Sequence, residues 1–245
     1  MAAVGAGAAA EDGKDLKARP GRLVEPTAGM DGIKQLLKGK EPASWVITGD
    51  SITHGALHTL GSRSYPEHFA ERVRWELRRV RDVMINTGIS GDRTGGILAD
   101  LDWRALRFQP HVVSLMFGMS DCTAGAAGRE SFRRNLKTLA EKIIAAGAIP
   151  LLNSPNSIYL KNAASRADLP AYADMVREVA EADKLAFVDH WKDWQTRKPD
   201  QESLLDWLED KSIHPGARGH REFAHEIFRQ LGIFDTQSPT CRLEV

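Results

Sequence analysis

The chain reads as an α/β protein with three layers, in which helices cover both faces of a central parallel sheet of about five strands. Two observations carry that expectation. Short apolar or β-branched runs at 44–48, 82–86, 111–117, 148–152 and 185–188 have the length and composition of buried strands. Segments of helical period at 66–79, 129–146, 170–183 and 217–230 alternate with them. That alternation spells βαβ units, whose crossovers should be right-handed.

Each element has its own signal. A short helix over 32–40 leads into the first strand, which ends at Gly49, where the close turn begins. The segment 54–64 holds two histidines, two glycines and Arg63, and reads as a loop in which His54 and His58 either line a cleft or stand exposed. Pro66 suits the first turn of the next helix, whose Phe69, Val73 and Leu77 recur at helical spacing. A glycine-rich turn over 88–96 follows the second strand, and Gly118-Met119-Ser120-Asp121 follows the third. The helix over 129–146 carries Leu136, Leu139, Ile143 and Ile144 on one face and stops at Gly147. From 189 to 210 no period is evident, and Trp191, Trp194 and Trp207 are expected to cover the sheet edge, with a substrate-stacking surface as the alternative.

Residues 1–30, rich in Ala, Gly and charge and broken by Pro20 and Pro26, read as an amino-terminal arm or linker. One domain over 31–235 and a carboxyl-terminal tail over 236–245 complete the expected organisation. Among 245 residues, 33 Lys and Arg balance 33 Asp and Glu, so no global charge argues for nucleic acid or an anionic membrane as partner. The basic run over 72–81 has helical spacing and reads as a solvated face. Cys122 and Cys241 lie in no metal-ligand pattern, which speaks against a zinc site and leaves a single pairing as the one disulfide open to the chain. No run reaches the length of a membrane span and no basic, apolar leader is evident, so a cytoplasmic location is expected. A homo-oligomer is compatible with the sequence.

The chemistry-bearing residues fall at strand ends. Ser51, in Gly49-Asp50-Ser51, sits at the carboxyl end of the first strand, the edge where open α/β sheets bind ligands. Gly-Asp-Ser alone more often describes a helix-capping turn. What changes the balance is His214, in Ile213-His214-Pro215-Gly216 ahead of the last helix, where it can reach the same edge. The 88–96 turn lacks the glycine and lysine spacing of a phosphate-binding loop, which disfavours a nucleotide-binding module.

Taken together, these blocks resemble the SGNH hydrolases, also called GDSL esterases and lipases, over about 44–231. Gly49-Asp50-Ser51 is similar to the first block, and Asn86 to Thr94, with Gly91, to the second. The third departs, because Gly118-Met119-Ser120-Asp121 has serine where the family has asparagine. In the fourth, His214 matches but Lys211 occupies the usual acid position, so Asp210, one residue earlier, becomes the candidate acid, with Glu209 behind it. The resemblance implies a flavodoxin-like hydrolase architecture with Ser51 as nucleophile, His214 as base, and the amides of Ser51 and Gly91 with the Ser120 side chain as oxyanion donors. It implies a cofactor-independent, metal-free carboxylic ester hydrolase acting through an acyl-Ser51 intermediate on short-chain or acetyl esters, carbohydrate acetyl esters included. Without Asp210 on His214, the site would be a Ser-His dyad. The departures at Ser120 and Lys211 also motivate the rival expectation of a weakly active or non-catalytic binding protein of the same fold.

Overall fold

The computed structural model describes residues 23–242. Most of the arm expected over 1–30, and residues 243–245 of the tail, lie outside the described residues. Five strands, β1 (Ser44–Gly49), β2 (Val83–Asn86), β3 (Val112–Met116), β4 (Ile149–Asn153) and β5 (Ala186–Val188), form one sheet in the order β2-β1-β3-β4-β5. Every neighbouring pair is parallel, as the alternation of strands and helices predicts. Strand order reverses at β1, which has β2 on one side and β3 on the other. Ser51 follows β1 at that switch point, where the flanking connections leave on opposite faces and open a crevice.

Burial explains the composition of the strands. β1, β3 and β4 are buried almost throughout, so they read as apolar runs rather than alternations, whereas the edge strand β2 is partly exposed. The sheet is covered by α1 (Gly29–Lys38), α3 (Tyr65–Glu71), α6 (Gly125–Ala145), α7 (Leu169–Ala182) and α9 (Ala217–Leu231), with the four-residue α2 (Ser51–His54) leading away from β1. Short helices α4 (Thr94–Ala99) and α5 (Leu101–Arg104) fill the second crossover, and α10 (Pro239–Arg242) closes the described chain. Leu23 and Val24 pack on the same core.

Two departures from the expected elements have identifiable causes. The helix expected over 66–79 runs as α3 only to Glu71, continues as a π-helical turn over Arg72–Glu76, and ends before Arg78, whose φ is +59°. That turn directs Glu76 onto Arg72 and onto the Ser238 and Thr240 hydroxyls of the carboxyl-terminal segment. The segment without evident period holds α8 (His190–Arg197), capped by Asp189, whose side chain accepts from the Lys192 amide. Its buried His190, Trp191 and Trp194 share one helical face among many charges, which hides the period. Trp194 and Trp207 meet edge to face at 4.9 Å, so these indoles serve packing. Cys122 and Cys241 are both free and buried, which removes the disulfide.

A buried ionic knot fixes the entry to β1 and β2. Asp82 accepts the Ala43 amide and the Trp45 indole N–H, both at 3.0 Å, and both of its oxygens accept from the Arg79 guanidinium. Arg79 donates in turn to the Gly39 and Glu41 carbonyls. With side chains 6% and 1% exposed, Arg79 and Asp82 are satisfied only as a set. Replacing Asp82 with Ala leaves a buried guanidinium without its counter-charge and the Trp45 indole N–H without its acceptor, and is expected to cost about 3–5 kcal/mol in the free energy of unfolding measured with urea.

Candidate active site

The carboxyl edge of the sheet gathers four loops. Register sets their ends nearly level, pairing Gly49 of β1 with Met116 of β3 and Ile47 with Asn86 of β2. Gly49 is required by close approach: a Cβ there would lie 2.2 Å from the Thr53 hydroxyl and 2.5 Å from the Met116 carbonyl oxygen. The chain can therefore turn sharply into α2, with Asp50 as its cap, accepting the Ile52 amide at 3.1 Å. The helix-capping and nucleophile-presenting readings of Gly-Asp-Ser thus describe the same turn.

Ser51 and His214 stand 163 positions apart in the chain, yet Ser51 Oγ lies 2.8 Å from His214 Nε2. On the other side of the ring, Nδ1 lies 2.6 Å from Asp210 Oδ2. The second Asp210 oxygen accepts the backbone amides of Ser212, Ile213 and His214 at 2.9, 2.9 and 3.0 Å. Burial opposes the charge on this carboxyl, but the imidazole and the three amides outweigh it and hold its pKa far below the usual carboxylate range. The one-residue excess over the family spacing is taken up at Lys211, whose φ is +53°. Its side chain turns outward to the Leu205 carbonyl, while Leu208 and Pro215 pair across the base of the loop.

The other two loops are tied to each other. The second begins where the Thr87 and Ile89 amides donate to the Ile47 and Gly49 carbonyls, extending the ladder past β2. Gly91 then adopts φ +80°, a conformation that favours glycine, with nothing within 4 Å of where a Cβ would be. Ser120, after β3, is 8% exposed and its carbonyl accepts the Thr123 hydroxyl. Asp121 joins the two loops by accepting the Thr94 amide and hydroxyl on one oxygen and the Gly118 amide on the other. Asp92 pairs with Arg104, which also donates to the Thr87 carbonyl.

Two side chains at this edge have surroundings that the sequence does not announce. Asp50, 1% exposed, has its pKa raised to about 7, chiefly by burial and further by the nearby charge of Asp121; the Ile52 amide, His214 and Arg166 pull the other way. His58 lies flat on His214, with ring centroids 3.8 Å apart and planes within 7°. The other loop histidine, His54, is exposed and bonded to the Ser90 hydroxyl. The signal in the sequence for His58 was only its place in the loop after the nucleophile.

His58, Asp210 and His214 bring potential metal-ligand atoms within 4.8 Å of one another. Both His214 nitrogens are already committed, and parallel stacked rings cannot aim in-plane lone pairs at one ion, so Asp210 and His214 form a hydrogen-bonded pair with His58 stacked on its ring rather than a metal cage.

Comparisons with known proteins place the chain in a family. The model of the GDSL-like lipase/acylhydrolase family matches residues 47–222, most of the chain. The chain belongs to that family. Its members are ester-hydrolysing enzymes, and the matched span runs from β1 into α9, taking in all four loops. Similar solved structures include LAE5, an alpha/beta hydrolase enzyme from the metagenome of Lake Arreo, at 21% identity and a TM-score of 0.68, covering 81% of this chain and 99% of that one. The lipase/acylhydrolase from Enterococcus faecalis aligns at 22% identity and a TM-score of 0.65, covering 82% and 97%. A catalytic mutant of Axe2, an acetylxylan esterase from Geobacillus stearothermophilus, aligns at 20% and 0.65, covering 79% and 97%. Among curated proteins, an uncharacterized protein of Mycoplasma pneumoniae is 32% identical over 116 residues, 44% of this chain. The chain spans 13% of the length of that curated relative. Among the described residues no helix is long and apolar enough to cross a membrane.

The shifted Asp50 carboxyl has a signed consequence for stability. Its folded pKa lies above the unfolded value, so between about pH 4 and 7 the folded chain keeps a proton the unfolded chain has released. Its contribution to stability is therefore full below about pH 4 and declines as pH rises through 7. Asp50→Asn keeps an oxygen for the Ile52 amide and removes the titration. It is expected to raise the melting temperature at pH 8 and to give little or no gain at pH 4, read by calorimetry at both values.

Proposed function

We propose that this chain is a serine-dependent carboxylic ester hydrolase working through an acyl-Ser51 intermediate. The observation that carries the reading is the continuous chain from Asp210 Oδ2 to His214 Nδ1 and from His214 Nε2 to Ser51 Oγ. Serine's hydroxyl is a weak nucleophile until a base takes its proton, and a base is effective when its tautomer is fixed. Asp210, held ionised by its four donors, accepts the N–H from Nδ1 and leaves Nε2 free to receive the Ser51 proton.

In the first half-reaction Ser51 Oγ attacks the ester carbonyl carbon while its proton passes to His214 Nε2. The carbonyl oxygen becomes an oxyanion, and the Ser51 and Gly91 amides with the Ser120 hydroxyl are its proposed donors. Collapse breaks the bond to the alcohol oxygen, which leaves with the proton from His214. Water then attacks acyl-Ser51, His214 takes its proton, and the acid departs as the Ser51 hydroxyl is restored. The shorter Ser120 side chain is the weakest of the three donors, which lowers the rate without abolishing the chemistry.

For substrate we infer a short-chain or acetyl ester, with carbohydrate acetyl esters included. The acetylxylan esterase Axe2, which shares the fold, supports a small acyl group. The rival, a non-catalytic binding protein, rested on Ser120 and Lys211. Asp210, seated on His214, makes Lys211 the lesser objection.

Intact-mass analysis after exposure to a fluorophosphonate separates the two, because labelling requires an activated serine but no known substrate. The native chain is expected to label, and Ser51→Ala and His214→Ala are expected to abolish it; an unlabelled native chain from about pH 6 to 9 would favour the binding protein. Asp210→Asn keeps the amide contacts but cannot accept the imidazole N–H as the carboxylate does, and kcat on an aryl acetate should fall by as much as about 10,000-fold. Ser120→Asn, by lengthening the proposed donor, is expected to raise kcat by about 10-fold or more.

A further inference from the structure

The hydrogen bonds that hold His214 both meet the ring at its edge, one at each nitrogen. Two edge contacts fix where the ring lies but leave it free to rock about the line that joins them. A flat surface against one face removes that freedom, and His58 supplies it, stacked at 3.8 Å with its plane within 7° of the His214 plane.

The loop that carries His58 adopts unusual backbone to place it. The His58 amide donates to the Ala56 carbonyl at 2.7 Å, closing a three-residue turn through Leu57, whose φ is +64°. Leu60, at φ +50°, repeats the left-handed conformation two residues after His58. Neither leucine gains burial from it, since Leu57 is 79% and Leu60 73% exposed. Left-handed backbone at two non-glycine positions persists only where the surroundings over-determine it. What this loop turns inward is Thr59, 6% exposed, and the His58 ring, on His214.

We propose that His58 is a positioning residue for the base: its ring, pressed flat on His214, keeps Nε2 aimed at the Ser51 hydroxyl through both proton transfers. The inference rests on the ester-hydrolase reading above. It also accounts for the charge that arises during turnover. When His214 takes the serine proton, the facing ring offers the imidazolium a π surface. Burial first, and then the charge of His214, lowers the His58 pKa below the ordinary histidine value, while Asp210 and Glu209 oppose the shift.

The test compares His58→Ala, which removes the stack, with His58→Phe, which restores a flat ring that cannot titrate or donate. Both are made in the full chain, and melting temperatures within a few degrees of the native value establish that the fold is kept. With p-nitrophenyl acetate as substrate and a fluorophosphonate as serine probe, His58→Ala is expected to lower kcat and the labelling rate together by about 10-fold to 100-fold. KM should stay within about 2-fold, and His58→Phe should return kcat to within about 3-fold of native. An unchanged kcat in His58→Ala overturns the proposal, as does a raised KM at native kcat, which would place His58 on the substrate instead. A phenylalanine as slow as the alanine also overturns it, because a flat ring would then not be what matters. A native chain that does not label overturns the ester-hydrolase reading and this inference with it. A native chain that labels, beside His58→Ala labelling equally fast, overturns this inference alone.

Discussion

One carboxylate, with one oxygen committed to three backbone amides and the other to an imidazole, sets where the remaining groups at the sheet edge can sit. Because Asp210 holds the amides of Ser212, Ile213 and His214, the loop and the ring are positioned by the same group. A carboxylate surrounded by donors in this way stays ionised and stays put, and a fixed acceptor fixes the tautomer of its histidine. From His214 the constraint passes to Ser51, and from there to the turn after β1, where Gly49 admits no side chain.

The opposite wall of the crevice is built on the same plan with a different acid. Asp121 accepts from the Thr94 amide and hydroxyl and from the Gly118 amide, so the loops bearing Gly91 and Ser120 are fastened to one carboxyl. Burial raises the pKa of that carboxyl and that of its neighbour Asp50. Two buried acids near one another are costly to the folded state, and their presence beside the nucleophile fits the general tendency of strained electrostatics to gather at functional sites.

Much of this was legible in the sequence because the interior strands are apolar along their length and the principal helices are amphipathic. The five strands and their parallel order needed only that pattern. What escaped were elements whose signals are cancelled locally or set by partners distant in the chain. α8 mixes a buried face of His190, Trp191 and Trp194 with charges that flatten its period, and the π-helical turn at Arg72–Glu76 is dictated by partners more than 160 residues later, at Ser238 and Thr240. At the edge of the sheet, Ser51 and His214 could be singled out because both end recognisable elements. For His58 the sequence left cleft and exposed loop equally open, because its contact with His214 depends on the left-handed turn at Leu57, and nothing about a leucine announces a positive φ.

Lys211 shows what such a site requires of its chain. With φ at +53° it shortens the path between Asp210 and His214 by folding one residue aside, its ammonium on the Leu205 carbonyl. The imidazole responds to an oxygen at 2.6 Å and is indifferent to how many peptide units separate the two residues along the backbone. Motif spacing at this corner is thus a property of loop geometry and can drift by one without changing the electrostatics. Relatives that carry the acid four positions before the histidine can keep the same hydrogen bond, and searches that count letters would pass over them.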